Sequence, residues 1–228
     1  SSVGGWITGI HLVMQSLEEN TDEQLSSIPV NLFDYFAEEI FSKLSEELHD
    51  FLLKTSHLEN FDCGICNFIL KTGNSAELLG YLLGKNIFLE SKHFISPDGN
   101  TVIIYDYVQL FRTFLLSKSK EILNEDIQKD ILYKTSLYYK TNSNPEKAID
   151  YAILSGYQEY SEKLLIENFD EFFLNGRFEK LWNWTDSFNE GSLVNFKNII
   201  YYKGVLCKYF LGKLDRAIDY LDRAIEIS

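Results

Sequence analysis

Cys63 and Cys66, in the stretch "CGIC", carry the residue types and spacing closest to a reactive site in this chain. A pair two residues apart can exchange a disulfide, or supply half of a zinc site. Zinc needs four ligands, and no second Cys pair or His pair of suitable spacing follows. A thioredoxin-like motif would follow a strand in a βαβ unit, and none is visible. The expectation is therefore structural: Cys66 packs like a small apolar side chain on a short helix, and Cys63 lies near its start. "GYLLGKN", Gly80 to Asn86, approaches a phosphate-binding loop but is one residue short. It lacks the Ser or Thr after the Lys and sits at the end of an amphipathic helix. His11, His49, His57 and His93 are scattered and pair with no recurring acid, and His11 is expected to serve helix packing. No Ser/His/Asp set assembles from the sequence. The expectation is no catalytic residue, no metal and no cofactor bound by this stretch itself.

Composition narrows the remaining classes. The 228 residues include 45% hydrophobic and 15% aromatic side chains, enough for a real core. Only 3 Pro and 13 Gly favour helices over a many-turned β fold. A formal charge of −13, from 34 acids against 21 bases, opposes a duplex-binding surface, and Lys and Arg are interspersed with acids rather than blocked together. Most of them belong on solvated helix faces. Three cysteines give no disulfide framework. No apolar run approaches a membrane span and no signal peptide is apparent, so the expected location is cytoplasmic, with no membrane partner.

Periodicity then places the elements. Trp6, Ile10, Val13 and Leu17 stripe a first helix over 5–18, and a polar connection through Pro29 follows. Leu32, Phe36, Ile40 and Leu44 stripe the next helix, with Asn31 as its N-cap. Leu48, Phe51, Leu52 and Thr55 stripe another that begins at Ser45, with Glu46 and Glu47 at its positive end. "CGICNFIL" is a short helix, and "SAELLGYLLGKN" a further one capped by Ser75. Two β-rich runs flank "SPDG", a hairpin turn. After the hairpin, "YVQLFRTFLL" is read as the last and recognition helix of a winged-helix module. It gives Val108, Leu110, Phe111, Phe114 and Leu115 to apolar contact and leaves Gln109, Arg112 and Thr113 for base edges. That face is too apolar, in too acidic a chain, for direct DNA reading.

From residue 124 onward the chain reads as helices of about 12–20 residues joined by short loops, the tempo of an α-solenoid. Pro145 opens a helix that carries Ala148 and Ala152 on one face and ends at Gly156. Gly212 marks a tight turn before "LDRAIDYLDRAIEI", where Ala217 and Ala224 let a neighbouring helix approach and Leu221 fills the gap. Clustered aromatics such as "LYKTSLYY" and "WNW" are expected in core or inter-repeat packing, with a ligand or peptide groove as the minority reading. The fold class is thus mainly α: a winged-helix domain with a small β-hairpin wing, followed by a TPR-like α-α helical-repeat superhelix.

Several phrases, in this order, resemble the MalT/LuxR-type signal-transduction ATPases with numerous domains. "GWITGIHLVMQSL" resembles the helix closing that family's nucleotide module, and "DYFAEEIFSKLSEELHDFLLKTSHLENF" the start of its winged helix, with Phe36, Glu38, Leu44, Phe51, Leu52, Thr55, Ser56 and Phe61 in place. "CNFIL" and "LLGKNIFLES" resemble the stretches before the wing, "PEKAIDYAILSGYQEYSEKLL" the first helical repeat, and "GRFEKLWNW" the helix after it. The resemblance implies three parts: 1–28, the C-terminal helix of the ATPase helical module; 29–122, the winged helix; 123–228, the start of a helical-repeat sensor domain. It implies an interior piece of a transcriptional activator whose own upstream nucleotide-binding domain holds ATP or ADP. The repeats would take a small-molecule inducer or a peptide, and this stretch would not touch DNA. The family commonly places a nucleotide-sensing His pair ahead of Leu-Phe-Arg. Here Val108 and Gln109 stand there, before Leu110, Phe111 and Arg112, so Val108, Gln109 and Arg112 are the regulatory candidates. Two other classes stand beside this reading: a helical-repeat adaptor with no ATPase, and, far behind, a thiol or metal enzyme built on the Cys pair.

Overall fold

The computed structural model describes residues 37–95, 99, 101–188, 191 and 193–227. The expectations for the helix over 5–18, Pro29, the Asn31 cap, Leu32, Phe36, His11, the 1–28 domain and the Ser96–Asp98 part of the turn lie outside these residues. The chain divides into two compact units, Ser1–Gln128 and Lys129–Ser228.

In the first unit, a helical segment over 37–42 leads to α1 (Glu46–Thr55), α2 (Cys63–Leu70) and α3 (Ser75–Gly84). An antiparallel hairpin of β1 (Leu89–Ile95) and β2 (Thr101–Tyr107) follows, and then α4 (Gln109–Ile122). The starts are local chemistry. Ser45 accepts the Leu48 N–H and Asp62 accepts the Ile65 N–H, each satisfying a donor that the first helical turn leaves open. The cap of α3 is Asn74, not Ser75 as the sequence suggested. Ser75 is the first helical residue; its N–H donates to Asn67 Oδ1 at 3.2 Å while its hydroxyl is buried without a partner. The stripe expected on Ile40 and Leu44 is also shifted. Phe41 is buried instead, stacked on His49 at 4.2 Å and edge-on to Phe114 at 5.9 Å.

α1 buries Leu48, Phe51, Leu52 and Thr55, the face its spacing predicts, and also Leu53. Phe61 pairs with Tyr105 through reciprocal backbone hydrogen bonds of 3.0 and 2.7 Å, so the hairpin gains a one-residue third strand just before α2. An aromatic column fills the centre: Phe61 to Tyr107 at 5.0 Å, Tyr107 to Phe111 at 6.1 Å, Phe111 to Phe88 at 5.0 Å. Helix-turn-helix followed by hairpin and flanking helix is a winged helix. The helix-turn-helix pair is α2–α3, so the base-reading position of such a pair is α3, not α4 as the sequence reading had it.

The second unit is a run of antiparallel helices. They are α5 (Glu125–Thr141, which starts in the first unit), α6 (Pro145–Ser155), α7 (Gln158–Leu174), α8 (Phe178–Asp186), a 3-10 turn at Leu193–Asn195, α9 (Lys197–Tyr209) and α10 (Leu214–Glu226). Pro145 is at the start of α6, and Gly156, Gly176 and Gly212 take φ of +74°, +70° and +64° at the tight turns, where a side chain would be strained. Along one layer, α7 meets α9 through Phe169 and Tyr202, whose rings stack 3.7 Å apart. Along the other, α6 meets α8 through Asp150, which accepts from Lys180 and from the Trp184 indole. Ala148, Ala152, Ala217 and Ala224 are all buried, as small residues at a close helix–helix approach should be.

Candidate functional site around the start of α4

Val108 follows β2 directly and is the N-cap residue of α4. Its N–H donates to the Phe88 carbonyl at 2.9 Å, its carbonyl accepts the Arg112 N–H at 2.9 Å, and its side chain is buried. Phe88 holds φ at +43°, uncommon for a bulky residue; its ring is locked in the aromatic column and its carbonyl in that hydrogen bond. Gln109, one residue on, is exposed, as are Leu110 and Thr113. Leu110 was expected in apolar contact, yet it is 45% exposed, because the α4 face toward the core is set by Phe111, Phe114, Leu115 and Ser119.

Arg112 is half-buried. Its Nε donates to the Ser56 carbonyl at 3.1 Å, at the C-terminal end of α1. A cation there meets the negative end of the helix dipole and an unsatisfied carbonyl at once, so Arg112 clips α4 to α1. One residue further, His57 Nε2 is 2.7 Å from the hydroxyl of the fully buried Ser119. Burial, then the charges of Arg112 and Lys120, push the His57 pKa down to about 4, so the ring is neutral at neutral pH. Asp106 lies on the other side. Burial raises its carboxyl above the usual range, against the pull of Lys92 and Arg112, and Glu90 directly across the hairpin adds to the rise.

Ser119 and His57 have the separation of a nucleophile and its base. They lack the rest of that machinery. The hydroxyl is wholly buried, the ring is flanked by cations, and no carboxylate orients it among the described residues. A spacing of 62 residues hid this pair from the sequence reading. The hairpin carries a cleft of about 250 Å³ lined by Asn60, Glu90, Lys92, Phe94, Ile104 and Asp106, two carboxylates against one ammonium.

Cys66 is fully buried in α2 and Cys63 stands at its first position; burial raises both thiols, so neither is poised as a thiolate. Among the described residues no group of three or more His, Cys, Asp or Glu could hold a metal ion. "GYLLGKN" is the end of α3 and the turn after it, and the element directly before α3 is the helix α2, not a strand. The exposed residues of α3 and its C-cap are Ala76, Glu77, Gly80, Tyr81, Gly84 and Lys85, one acid and one base among small or neutral residues. Such a surface supplies little to phosphates or base edges. No helix of the described residues is long and apolar enough to cross a membrane.

Compared with known protein families, residues 37–127 fit the model of the MalT winged helix domain. The matched stretch runs from the segment before α1 to the start of α5 and contains the whole clip of Arg112, His57 and Ser119. It supports a MalT-like regulator as the kind of protein this chain resembles. No curated protein matches the chain.

Proposed function

We propose that this chain is the regulatory part of a MalT-type, ATP-dependent transcriptional activator. The winged helix arbitrates between an upstream nucleotide-binding domain and the helical hairpins, which sense an inducer. The observation that carries this reading is the match of residues 37–127 to the MalT winged helix domain, on a fold whose own helix-turn-helix surface is poorly equipped for DNA. In this reading the polypeptide exchanges ADP for ATP when inducer favours an open form, a population shift that needs differential affinity for the two forms. Gln109, exposed at the start of α4 at one of the two positions where the family places its sensing histidines, is the residue best placed to face the nucleotide module. Val108 is turned into the core and acts only by shaping that helix start. Nucleotide stays with the upstream module, and this stretch holds none.

The test uses the full-length polypeptide. Purified protein should release ADP on denaturation, inducer should speed exchange of a fluorescent ADP, and Gln109→Glu should change the exchange rate about tenfold, a coupling of about 1.4 kcal/mol. A full-length protein that carries no nucleotide and drives no transcription would overturn the proposal.

A further inference from the structure

Within the second unit, the α5–α6 turn, the end of α7 and the start of α8 line a cleft of about 420 Å³. Pro145 and the buried Phe172 give it an apolar part; Glu146, Glu171, Asn175 and Arg177 give it a polar one. An apolar lining with a few polar groups converging from separate segments is the make-up of a small-molecule site, and the volume is in the range of such sites. Arg177 donates to Glu146 through Nη2 at 2.8 Å, which leaves its Nε and Nη1 for a second carboxylate. Glu146 is matched within the protein, by Arg177 and by Lys180 at 3.3 Å. Glu171 is exposed and holds no ion pair among the described residues.

The backbone repeats this polarity. α6 starts at the cleft, where Asn144 takes the Lys147 N–H and Pro145 has none to offer, so the Glu146 N–H is open to a ligand. α7 ends at the same cleft. A helix start favours an anion and a helix end a cation. A simple anion would leave Glu171 unmatched, and a simple amine would leave Arg177 unmatched. We infer that the cleft binds a free α-amino acid with an apolar side chain. Its carboxylate meets Arg177 beside the start of α6, its ammonium meets Glu171 and the Asn175 side-chain oxygen, and its side chain lies against Pro145 and Phe172. This deepens, and rests on, the reading that the helical hairpins sense a small molecule. Such a ligand ties the turn of one hairpin to the turn of the next.

The test titrates L-phenylalanine and L-leucine into the isotopically labelled whole chain and follows backbone amide signals. At least one should bind at about 1 mM or tighter and shift signals over 143–147 and 171–177. N-acetyl-L-phenylalanine lacks the ammonium and L-phenylalaninamide lacks the carboxylate; each should bind at least about tenfold more weakly than the parent. Both proposed contacts are at exposed positions, so the variants should keep the thermal melt. Arg177→Met should bind L-phenylalanine no better than L-phenylalaninamide, and Glu171→Gln should bind it no better than the N-acetyl compound. Binding of neither amino acid, shifts confined to other helices, or equal binding of a blocked compound, as at a peptide end, would overturn the inference. ADP exchange in the full-length protein separates this site from the wider reading. Exchange that answers another compound and ignores Arg177→Met would overturn the site alone. Amino-acid binding to a full-length protein that carries no nucleotide would support the site and overturn the switch.

Discussion

The two units hold themselves together over different distances along the chain. In the winged helix the decisive polar contacts are long-range. Thr55 meets the buried Tyr107 hydroxyl 52 residues away, the Ser56 carbonyl meets Arg112 56 away, and His57 meets Ser119 62 away. In the helical hairpins the corresponding contacts span less: Ser136 to Ala148 over 12 residues, Lys203 to Asp186 over 17, Asp150 to Lys180 over 30, Glu162 to Asn198 over 36. The first pattern closes a unit on itself, so its parts stand or fall together. The second is nearly one-dimensional, each hairpin leaning on its neighbour, so damage stays close to where it is made.

The sharpest way to break this contrast is Phe111→Ala. The ring is fully buried and touches Phe88, Tyr107 and Phe114. Its loss should cost about 3–5 kcal/mol and lower hydrogen-exchange protection across the whole winged helix, from α1 to α4. Loss confined to α4 would contradict the claim of a closed unit. Next in size is acid. In the unfolded chain His57 takes its proton near 6.5, whereas in the folded chain it does so only near 4. Between those values the unfolded state binds more protons, so stability is full above 6.5 and falls by up to about 3 kcal/mol as pH drops through the window. All four histidines precede residue 129, so this component should appear in the winged-helix transition, and His57→Gln should flatten it in urea melts at stepped pH. Smallest is Gly204→Ala. The new Cβ would press on Leu221 and, at 3.3 Å, on the Ala217 carbonyl. Better helix propensity offsets part of that crowding, leaving a net loss of about 1 kcal/mol. Exchange should rise only in α9 and α10, and adding Leu221→Ala should relieve it.

Much of the fold was legible because it follows from local rules. Apolar spacing placed the buried face of α1, Pro145 and Gly156 bounded α6, the small residues of α10 marked its packing face, and the two β-rich runs gave the hairpin. What failed had near-equal local alternatives. Asn74 and Ser75 are both cap formers, and the contacts of Asn67 chose between them. Ile40 and Phe41 are adjacent apolar residues, and Phe114 and His49 claimed the ring. Most Lys and Arg were expected on solvated helix faces, and Lys203 departs from that pattern. It is buried instead, its ammonium 3.0 Å from Asp186 and within 6 Å of the Trp182 and Tyr220 rings. No window of sequence shows that three helices will close over a lysine.

Taken alone, the order of residues settled which segments coil, which pair as a hairpin and where each must stop, since those outcomes depend on neighbours a turn or two away. Only the assembled chain decided that Arg112 would brace α1, that Val108 would face inward, and that Lys203 would be buried against Asp186. Those depend on which side chains from distant segments reach a given point first, a matter of volume and of carbonyls or charges left to be satisfied.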